Sequence, residues 1–355
     1  MRTSEFDYYL PPELIAQTPI EPRDASRLLV LHRADGVIEH RHFRDIVTYL
    51  RASDLLVAND SRVIPARLFG HKIPSGGKVE LLLIKKRDQE TWEVLLKPGR
   101  RVKPGTKLAI HAIGDTEKGA NHPALEISAH VLASTEGGGR VVSFSVPIEP
   151  LLERIGIIPL PPYIHTPLDN AERYQTIYAR VRGSVAAPTA GLHFTPELVQ
   201  QLQQRGVEFA FVTLHISMDT FRPVQETNIE EHRMYNEYCE LPVETSEAIH
   251  RAQKEGGRII AIGTTTVRVL ETAALRLQDG ETLLKPFAGF TNLFIYPGFQ
   301  FRVVNALITN FHLPRSTLLM LVAAFAGKDL VDRAYQEAIR ERYRFYSFGD
   351  AMLIL

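Results

Sequence analysis

The residues best placed to do chemistry form a loop of small side chains that ends in a histidine, residues 183–194. With so few bulky side chains, the backbone N–H groups of this loop stay open to a ligand. Thr195 followed by Pro196 is typical of an N-cap with proline at the first helical position, which predicts a helix beginning at Pro196. We therefore predict that the loop forms the floor of a pocket with His193 beside it.

Four histidines in distinct local contexts are candidates for proton transfer, because imidazole donates or accepts a proton near neutral pH. They are His193, His215, His232 and His312. For each of them a hydrogen-bonded structural role is the alternative. Asp219 and Thr220, close after His215, either orient that histidine or form a turn or cap.

A zinc site is not predicted, because the histidines lie on separate elements with no His-x-x-x-His pair among them. The single cysteine, Cys239, excludes an internal disulfide and fits a reducing cytoplasm.

A second candidate ligand site is the segment Gly263-Thr264-Thr265-Thr266, which follows a predicted strand and opens a predicted helix. Backbone N–H groups and hydroxyls at a helix N-terminus bind anions such as carboxylate or phosphate, and plain helix capping is the alternative. The Gly-x-Gly-x-x-Gly and Walker patterns are absent, which disfavours nicotinamide and nucleoside triphosphate binding. Ser184 lacks the second glycine of a hydrolase nucleophile elbow.

Basic and aromatic residues alternate in segments 173–182 and 340–348, and basic residues outnumber acidic ones between Lys85 and Lys107. Such mixtures can hold RNA phosphates and stack unpaired bases. The alternative is an apolar strand with arginine stems lying along it. The formal net charge of zero disfavours a protein that coats nucleic acid without specificity.

Length and element pattern together predict two domains. The 355 residues can bury a large core, and no signal-peptide pattern or membrane-length apolar run occurs. Closely spaced strands without intervening helices predict a small antiparallel barrel or sandwich. They are 63–69, 78–84, 91–96, 107–111, 124–134 and 140–146.

From about Thr195 onward, helices and strands alternate, which predicts an α/β layer whose sheet is at least partly parallel. The predicted strands are 207–216, 258–262, 291–296 and 303–308, and the predicted helices begin near 196, 246, 264, 317 and 331. The fold class is thus α/β (mixed α+β), with a large α/β domain of residues 1–62 and 147–355 and a small β-barrel domain of residues 63–146. The pattern leaves open whether the barrel is inserted or the domains follow in tandem.

The motifs, taken in order, resemble the S-adenosylmethionine:tRNA ribosyltransferase-isomerase family of queuosine biosynthesis, nearly end to end. The most specific is the loop from Gly183 to Thr195. The others are 7–17, 23–28, 59–67, 263–265, 310–314 and 343–352. One departure is the segment Ile216-Ser217-Met218-Asp219, where the family usually has glycines, which should stiffen the loop and narrow the space above it.

The resemblance implies transfer of the ribosyl unit of S-adenosylmethionine to 7-aminomethyl-7-deazaguanine at the tRNA wobble position, releasing adenine and methionine and giving epoxyqueuosine. It implies S-adenosylmethionine as substrate and no prosthetic group or metal. The single cysteine favours the cytoplasm, and nothing in the sequence demands more than a monomer. A tRNA-binding protein without catalysis is the alternative, and a methyltransferase is disfavoured because its glycine-rich loop is missing.

With that activity, His193 and His215 are the predicted proton-transfer residues, with Asp60 and Asp350 as carboxylate alternatives. The predicted residues around the sulfonium substrate are Tyr174, Ser184, Thr189, Gly191, Thr264, Thr265 and His312. The predicted tRNA contacts are Arg62, Arg67, Arg100, Arg101 and Arg180.

Overall fold

The structure is a computed structural model that describes residues 1–112, 126–135, 138–217 and 223–355. The chain divides into two compact units. One contains residues 1–62 and 161–355, and the other contains residues 63–160.

The larger unit is built on a nine-stranded mixed sheet. In spatial order its strands are Phe287–Thr291, Glu237–Leu241, Glu208–Leu214, Leu55–Asn59, Ile259–Ile262, Ala306–Asn310, Ala351–Ile354, Arg27–Leu31 and Ile38–His42. A separate two-stranded sheet pairs Ser61–Val63 with Val181–Ser184.

Four central strands of this sheet run parallel to one another: Glu208–Leu214, Leu55–Asn59, Ile259–Ile262 and Ala306–Asn310. Three of them are buried along their whole length, as is typical of parallel strands covered on both faces. The predicted parallel component of the sheet is thereby confirmed. Because the strands are parallel, their carboxyl ends meet at one edge of the sheet.

Helices cover both faces of the sheet. Side chains of Leu55 and Val57 belong to a core shared with four helices, whereas Leu56 and Ala58 face Leu198 of a fifth helix on the other side. The α-helices of this unit are Pro196–Gln204, Val243–Lys254, Thr264–Leu275, Thr317–Ala326 and Lys328–Arg340. Within the described ranges, every helix is too short or too polar to cross a bilayer.

Local sequence explains two of the helix starts. Thr195 Oγ1 accepts a hydrogen bond from the Leu198 N–H at 3.1 Å, with Pro196 at the first position, as predicted. Ser316 Oγ caps helix Thr317–Ala326 in the same way through the Leu319 N–H at 3.1 Å.

The smaller unit is a closed antiparallel barrel of six strands, because its first strand pairs with both the second and the fourth along the chain. Its strands are Arg67–Ile73, Lys78–Lys86, Thr91–Lys97, Lys107–His111, Glu126–Ser134 and Arg140–Phe144. A short strand, Gly156–Ile157, extends it after helix Leu152–Ile155. Gly70 permits closure, since a Cβ there would lie 2.2 Å from the Ala109 carbonyl oxygen.

Three predicted strands are misplaced. Segment 291–296 is not a strand beyond Thr291, because the strand there is Phe287–Thr291 at the sheet edge. The strand predicted at 303–308 is Ala306–Asn310, and the first barrel strand is Arg67–Ile73 rather than 63–69. In each case apolar residues also occur in the turn next to the strand, so hydrophobicity alone does not mark where the strand begins or ends.

Candidate active site

Four candidate site residues of the larger unit lie where its parallel strands end. Asn59, His215, Gly263 and Asn310 lie at or directly after the carboxyl ends of the four parallel strands. Ligands of open α/β sheets bind at this edge, outside the carboxyl ends of the strands. The edge is therefore the place to look for a site.

A cavity opens at this edge, with about 540 Å³ of space, a volume that includes open solvent at its mouth. Its wall combines polar groups with apolar side chains, as ligand pockets usually do. It is lined by Tyr163, Ala187, Pro188, Thr189, Ala190, Ile216, Gly263, Thr264, Thr265, Thr309, Asn310, Phe311, His312, Leu313, Leu318, Tyr346 and Ser347.

The small-residue loop supplies one wall of the cavity through Ala187–Ala190. The loop then forms a 3₁₀ turn, Thr189–His193. Gly191 lies behind this wall, where a Cβ would come within 2.2 Å of the Tyr178 hydroxyl oxygen. A glycine is needed at this position so that the loop can pack against Tyr178, and not for direct contact with a ligand.

Asn310 connects the loop to the cavity. Its Oδ1 accepts a hydrogen bond from Thr189 Oγ1 at 3.1 Å, and its Nδ2 donates to His193 Nε2 and to the Tyr346 carbonyl, both at 3.2 Å. The side chain is 2% exposed and both of its polar atoms are engaged. It therefore holds three chain segments in register at the wall of the cavity.

His193 lies behind the wall and does not line the cavity. Its ring stacks on Phe43 at a centroid distance of 4.9 Å, and its Nδ1 lies 2.7 Å from Ser26 Oγ. Because the amide of Asn310 donates to Nε2, the proton is on Nδ1. Burial, together with the charges of Arg344 and Arg23, lowers the pKa of His193 to about 3, so the ring is neutral at physiological pH.

His312 does line the cavity. Its Nε2 lies 2.8 Å from Thr309 Oγ1, and its backbone N–H donates to the Tyr335 hydroxyl at 2.9 Å. The Tyr8 hydroxyl donates to its carbonyl oxygen. Burial lowers the pKa of His312 to about 3, so the cavity presents a neutral imidazole whose ring contacts Thr309 and whose backbone is held by Tyr335 and Tyr8.

The start of helix Thr264–Leu275 forms another part of the cavity wall. Gly263 has φ +88°, a conformation that glycine adopts without strain, and it turns the chain from the strand into the helix. Thr264 and Thr265 line the cavity; that this helix N-terminus binds a ligand stays a prediction. Thr265 Oγ1 accepts a hydrogen bond from Asn59 Nδ2 at 3.3 Å.

His215 and Asp60 lie at the same sheet edge but outside the cavity lining. Asp60 is 2% exposed and accepts hydrogen bonds from Thr213 Oγ1 at 2.7 Å and from Arg180 Nη2 at 2.8 Å. Burial lowers the pKa of His215, while Asp60 and Glu240 oppose that shift. His215 Nδ1 is buried without a hydrogen-bond partner among the described residues, so this ring has a free nitrogen beside cavity residue Ile216.

Three other predicted site residues have structural contacts. The Asp350 carboxylate accepts from the backbone N–H groups of Arg27 and Arg344 at 2.8 and 2.7 Å, and burial raises its pKa. Ser184 Oγ donates to the Ala186 carbonyl and accepts from the Ile216 N–H. The Tyr174 ring is fully buried against Phe348. These contacts fix the chain around the cavity.

The predicted tRNA-binding arginines differ in how they are engaged. In the larger unit Arg62 pairs with Glu172 and Arg180 with Asp60, and in the barrel Arg67 pairs with Glu80 at 3.0 Å. Arg100 and Arg101 are exposed on a 3₁₀ turn of the barrel, Gly99–Arg101.

The aromatic residues of segment 340–348, in contrast, are core residues rather than stacking platforms: Tyr343, Phe345, Tyr346 and Phe348 are all buried.

Sequence reasoning overlooked Asn59 and Asn310 as site residues. Asn59 Oδ1 accepts from the N–H groups of Ser61 and Leu214, and its Nδ2 donates to the Leu214 carbonyl at 3.0 Å. A signal was available, since each asparagine is the last residue of a buried, mostly apolar strand. Asp219 and Thr220 lie outside the described residues. Among those that are described, no three His, Cys, Asp or Glu side chains are grouped as metal ligands.

The family model for "Queuosine biosynthesis protein" matches residues 3–354. The chain belongs to this family. It is 53% identical over 357 residues to the S-adenosylmethionine:tRNA ribosyltransferase-isomerase of Symbiobacterium thermophilum and 51% identical over 356 residues to that of Acetivibrio thermocellus, with full coverage of both chains in each comparison. A crystal structure of the S-adenosylmethionine tRNA ribosyltransferase from Thermotoga maritima matches with a TM-score of 0.55 and 45% identity, covering 99% of this chain and 100% of that one. The family resemblance predicted from the motifs is confirmed.

Proposed function

We propose that this chain transfers and isomerises the ribosyl moiety of S-adenosylmethionine onto 7-aminomethyl-7-deazaguanine at the wobble position of tRNA. The products are epoxyqueuosine-tRNA, adenine and methionine. Full-length identity above 50% to relatives that carry this activity in their names supports the proposal. The observation that carries it in this molecule is the cavity at the carboxyl edge of the sheet, whose lining includes the loop with the most specific family motif and the motif segment at Gly263.

The cavity is the proposed binding site for the sulfonium substrate, with Thr189, Thr264, Thr265 and His312 in contact with it. All four line the cavity. The sulfonium acidifies the adjacent ribose C–H bond, so a base positioned beside it can accept that proton and start the reaction. Burial keeps His312 neutral, so its ring is available as an uncharged hydrogen-bonding group, and the mixture of hydroxyl, amide and apolar groups suits a nucleoside.

Proton transfer by His215 and His193, or by Asp60 and Asp350, remains a proposal. We favour His215 among these four, because it has a free nitrogen and follows directly on the strand that ends at the cavity. His193 has both ring nitrogens engaged and acts through Asn310, as a positioning residue. The two carboxylates are held by hydrogen bonds from the chain itself.

tRNA is the proposed macromolecular substrate, and the exposed pair Arg100 and Arg101 is the proposed contact in the barrel. Arg62, Arg67 and Arg180 would first have to exchange a carboxylate partner for a phosphate. The barrel, predicted as residues 63–146 and part of the compact unit of residues 63–160, is proposed to be a domain inserted into a catalytic domain, predicted as residues 1–62 and 147–355. We further propose a monomer that works in the cytoplasm, where its tRNA substrate is available.

Incubation of the protein with S-adenosylmethionine, labelled in the adenine and ribose, and precursor tRNA tests the activity. We expect free adenine and incorporation of ribose label into tRNA, and neither product with tRNA that carries guanine at the wobble position. Binding of tRNA without release of adenine would instead support the non-catalytic alternative. Formation of S-adenosylhomocysteine would indicate a methyltransferase.

A further inference from the structure

A second cavity adjoins the one described above. It has about 790 Å³ of space open to solvent and lies wholly in the larger unit. Its lining residues are Ser217, Pro223, Gln225, Glu226, His232, Arg233, Met234, Tyr235, Glu237 and Thr317. Ser217 and Thr317 are the chain neighbours of Ile216 and Leu318, which line the first cavity. Since neighbouring Cα atoms are about 3.8 Å apart, the two cavities share these walls.

Thr317 gives the second cavity an unsatisfied polar group. The residue is 7% exposed, and its Oγ1 is buried with no hydrogen-bond partner among the described residues. A buried hydroxyl normally has a partner, and its absence points to a bound molecule that supplies one. Thr317 is also the first residue of the ten-residue helix Thr317–Ala326, and a helix N-terminus favours a negatively charged ligand.

Charges of both signs line the same cavity. Glu226 lies at 3.0 Å from His232 Nδ1, and Glu237 is compensated by its buried ion pair with Arg268. Arg233 is exposed at the cavity wall. A cavity with a helix N-terminus, carboxylates and a guanidinium fits a zwitterion better than an ion of one sign.

We propose that the second cavity binds the α-amino acid end of the sulfonium substrate. This inference rests on the proposed function. The carboxylate is bound by the Thr317 hydroxyl at the start of the helix, and the ammonium faces Glu226. The nucleoside occupies the first cavity, so the sulfonium lies at the shared wall formed by Ile216–Ser217 and Thr317–Leu318. The methionine product leaves from the second cavity.

Thr317→Val removes the hydroxyl at nearly constant volume and provides the test. Isothermal titration calorimetry compares the Kd of S-adenosylmethionine with that of decarboxylated S-adenosylmethionine, which lacks the carboxylate. We expect the variant to weaken binding of the first ligand roughly tenfold or more, as for loss of a hydrogen bond to a charged group, and to leave binding of the second unchanged. Thr272→Val is the matched control, because Thr272 is equally buried but bonds Thr291; both Kd values should remain those of the wild type.

Glu226→Gln tests the ammonium end independently, with the analogue that lacks the α-amino group as the second ligand. Its Kd for S-adenosylmethionine should rise several-fold while the Kd for the analogue stays constant. The inference would be overturned if either variant lost the same affinity for S-adenosylmethionine as for the analogue tested with it. It would also be overturned if Thr317→Val and Glu226→Gln both bound S-adenosylmethionine with wild-type affinity. Wild-type protein that binds S-adenosylmethionine but releases no adenine with precursor tRNA would contradict the proposed function instead.

Discussion

The side-chain amide of Asn310 lies 3.2 Å from Nε2 of His193 and joins that fully packed ring to the cavity wall. The relationship makes His193 part of the support of the site. Asn310 itself lines the cavity and is held by Thr189 on its other side. Through it, the loop with the most specific family motif and the last parallel strand share one hydrogen-bond network.

Replacing His193 by Ala should therefore impair stability as well as activity. The change leaves a void beside Phe43 and removes the partners of Ser26 and Asn310, so we expect a loss of about 2–4 kcal/mol in the free energy of unfolding. Urea denaturation gives this value, and adenine release should fall at least tenfold. His165→Gln, at an exposed position, is the control. If the variant had the stability and turnover of the wild type, His193 would not be needed to hold the cavity wall in place.

The buried histidines should make the protein less stable in acid. His193 and His312 have a pKa of about 3 in the folded state, below the value of 6.5 for a free side chain. Between those values the unfolded chain binds more protons than the folded chain, so the free energy of unfolding falls as the pH falls from about 6.5 toward 3. Above pH 6.5 the stabilising contribution of the two histidines is fully present. Each histidine contributes a slope of about 1.4 kcal/mol per pH unit.

Urea midpoints at pH 7, 6 and 5 measure this slope. His312→Asn should flatten it by the contribution of one histidine, whereas His165→Gln should leave it as in the wild type. A slope that does not change in the His312 variant would mean that this ring titrates normally in the folded protein.

Gly263→Ala should disturb the start of the helix at the cavity. At φ +88° a side chain is strained, so we expect a loss of about 1–3 kcal/mol in the free energy of unfolding. Because Thr264 and Thr265 follow directly, the KM for S-adenosylmethionine should rise. Gly99→Ala is the control, since a Cβ there meets no atom within 4 Å. Unchanged thermal unfolding and KM in the Gly263 variant would contradict this account of the turn.

The double variant Arg100→Glu/Arg101→Glu should weaken tRNA binding and leave binding of S-adenosylmethionine intact. Contacts of basic side chains with phosphates depend on salt, so the slope of log Kd against log salt concentration should become shallower by roughly two units. Filter binding over a salt series measures it. Arg251→Glu, in an exposed ion pair with Glu208, is the control of equal charge change per residue. Equal effects of both charge reversals on tRNA affinity would indicate non-specific electrostatics.

Local patterns predicted most elements of the fold because their signals lie within a few residues. Thr195 with Pro196 predicted a helix start, and turn-separated strands predicted the six-stranded barrel. The prediction of a strand at 291–296 was wrong, because the position of that edge strand depends on its pairing partner Glu237–Leu241, which is distant in the chain. Periodicity carries no information about such a partner.

For the candidate site, sequence alone determined the family and the two walls of the cavity, since the motif around Thr189 and the turn at Gly263 have chemistry that can be read locally. Only the tertiary structure decided that Asn310 and His312 face the cavity while His193, Asp350 and Tyr174 lie behind it. The physical reason is that parallel pairing of strands far apart in the chain brings their ends to one edge. Which side chain then points into open space depends on packing against residues that local sequence does not specify.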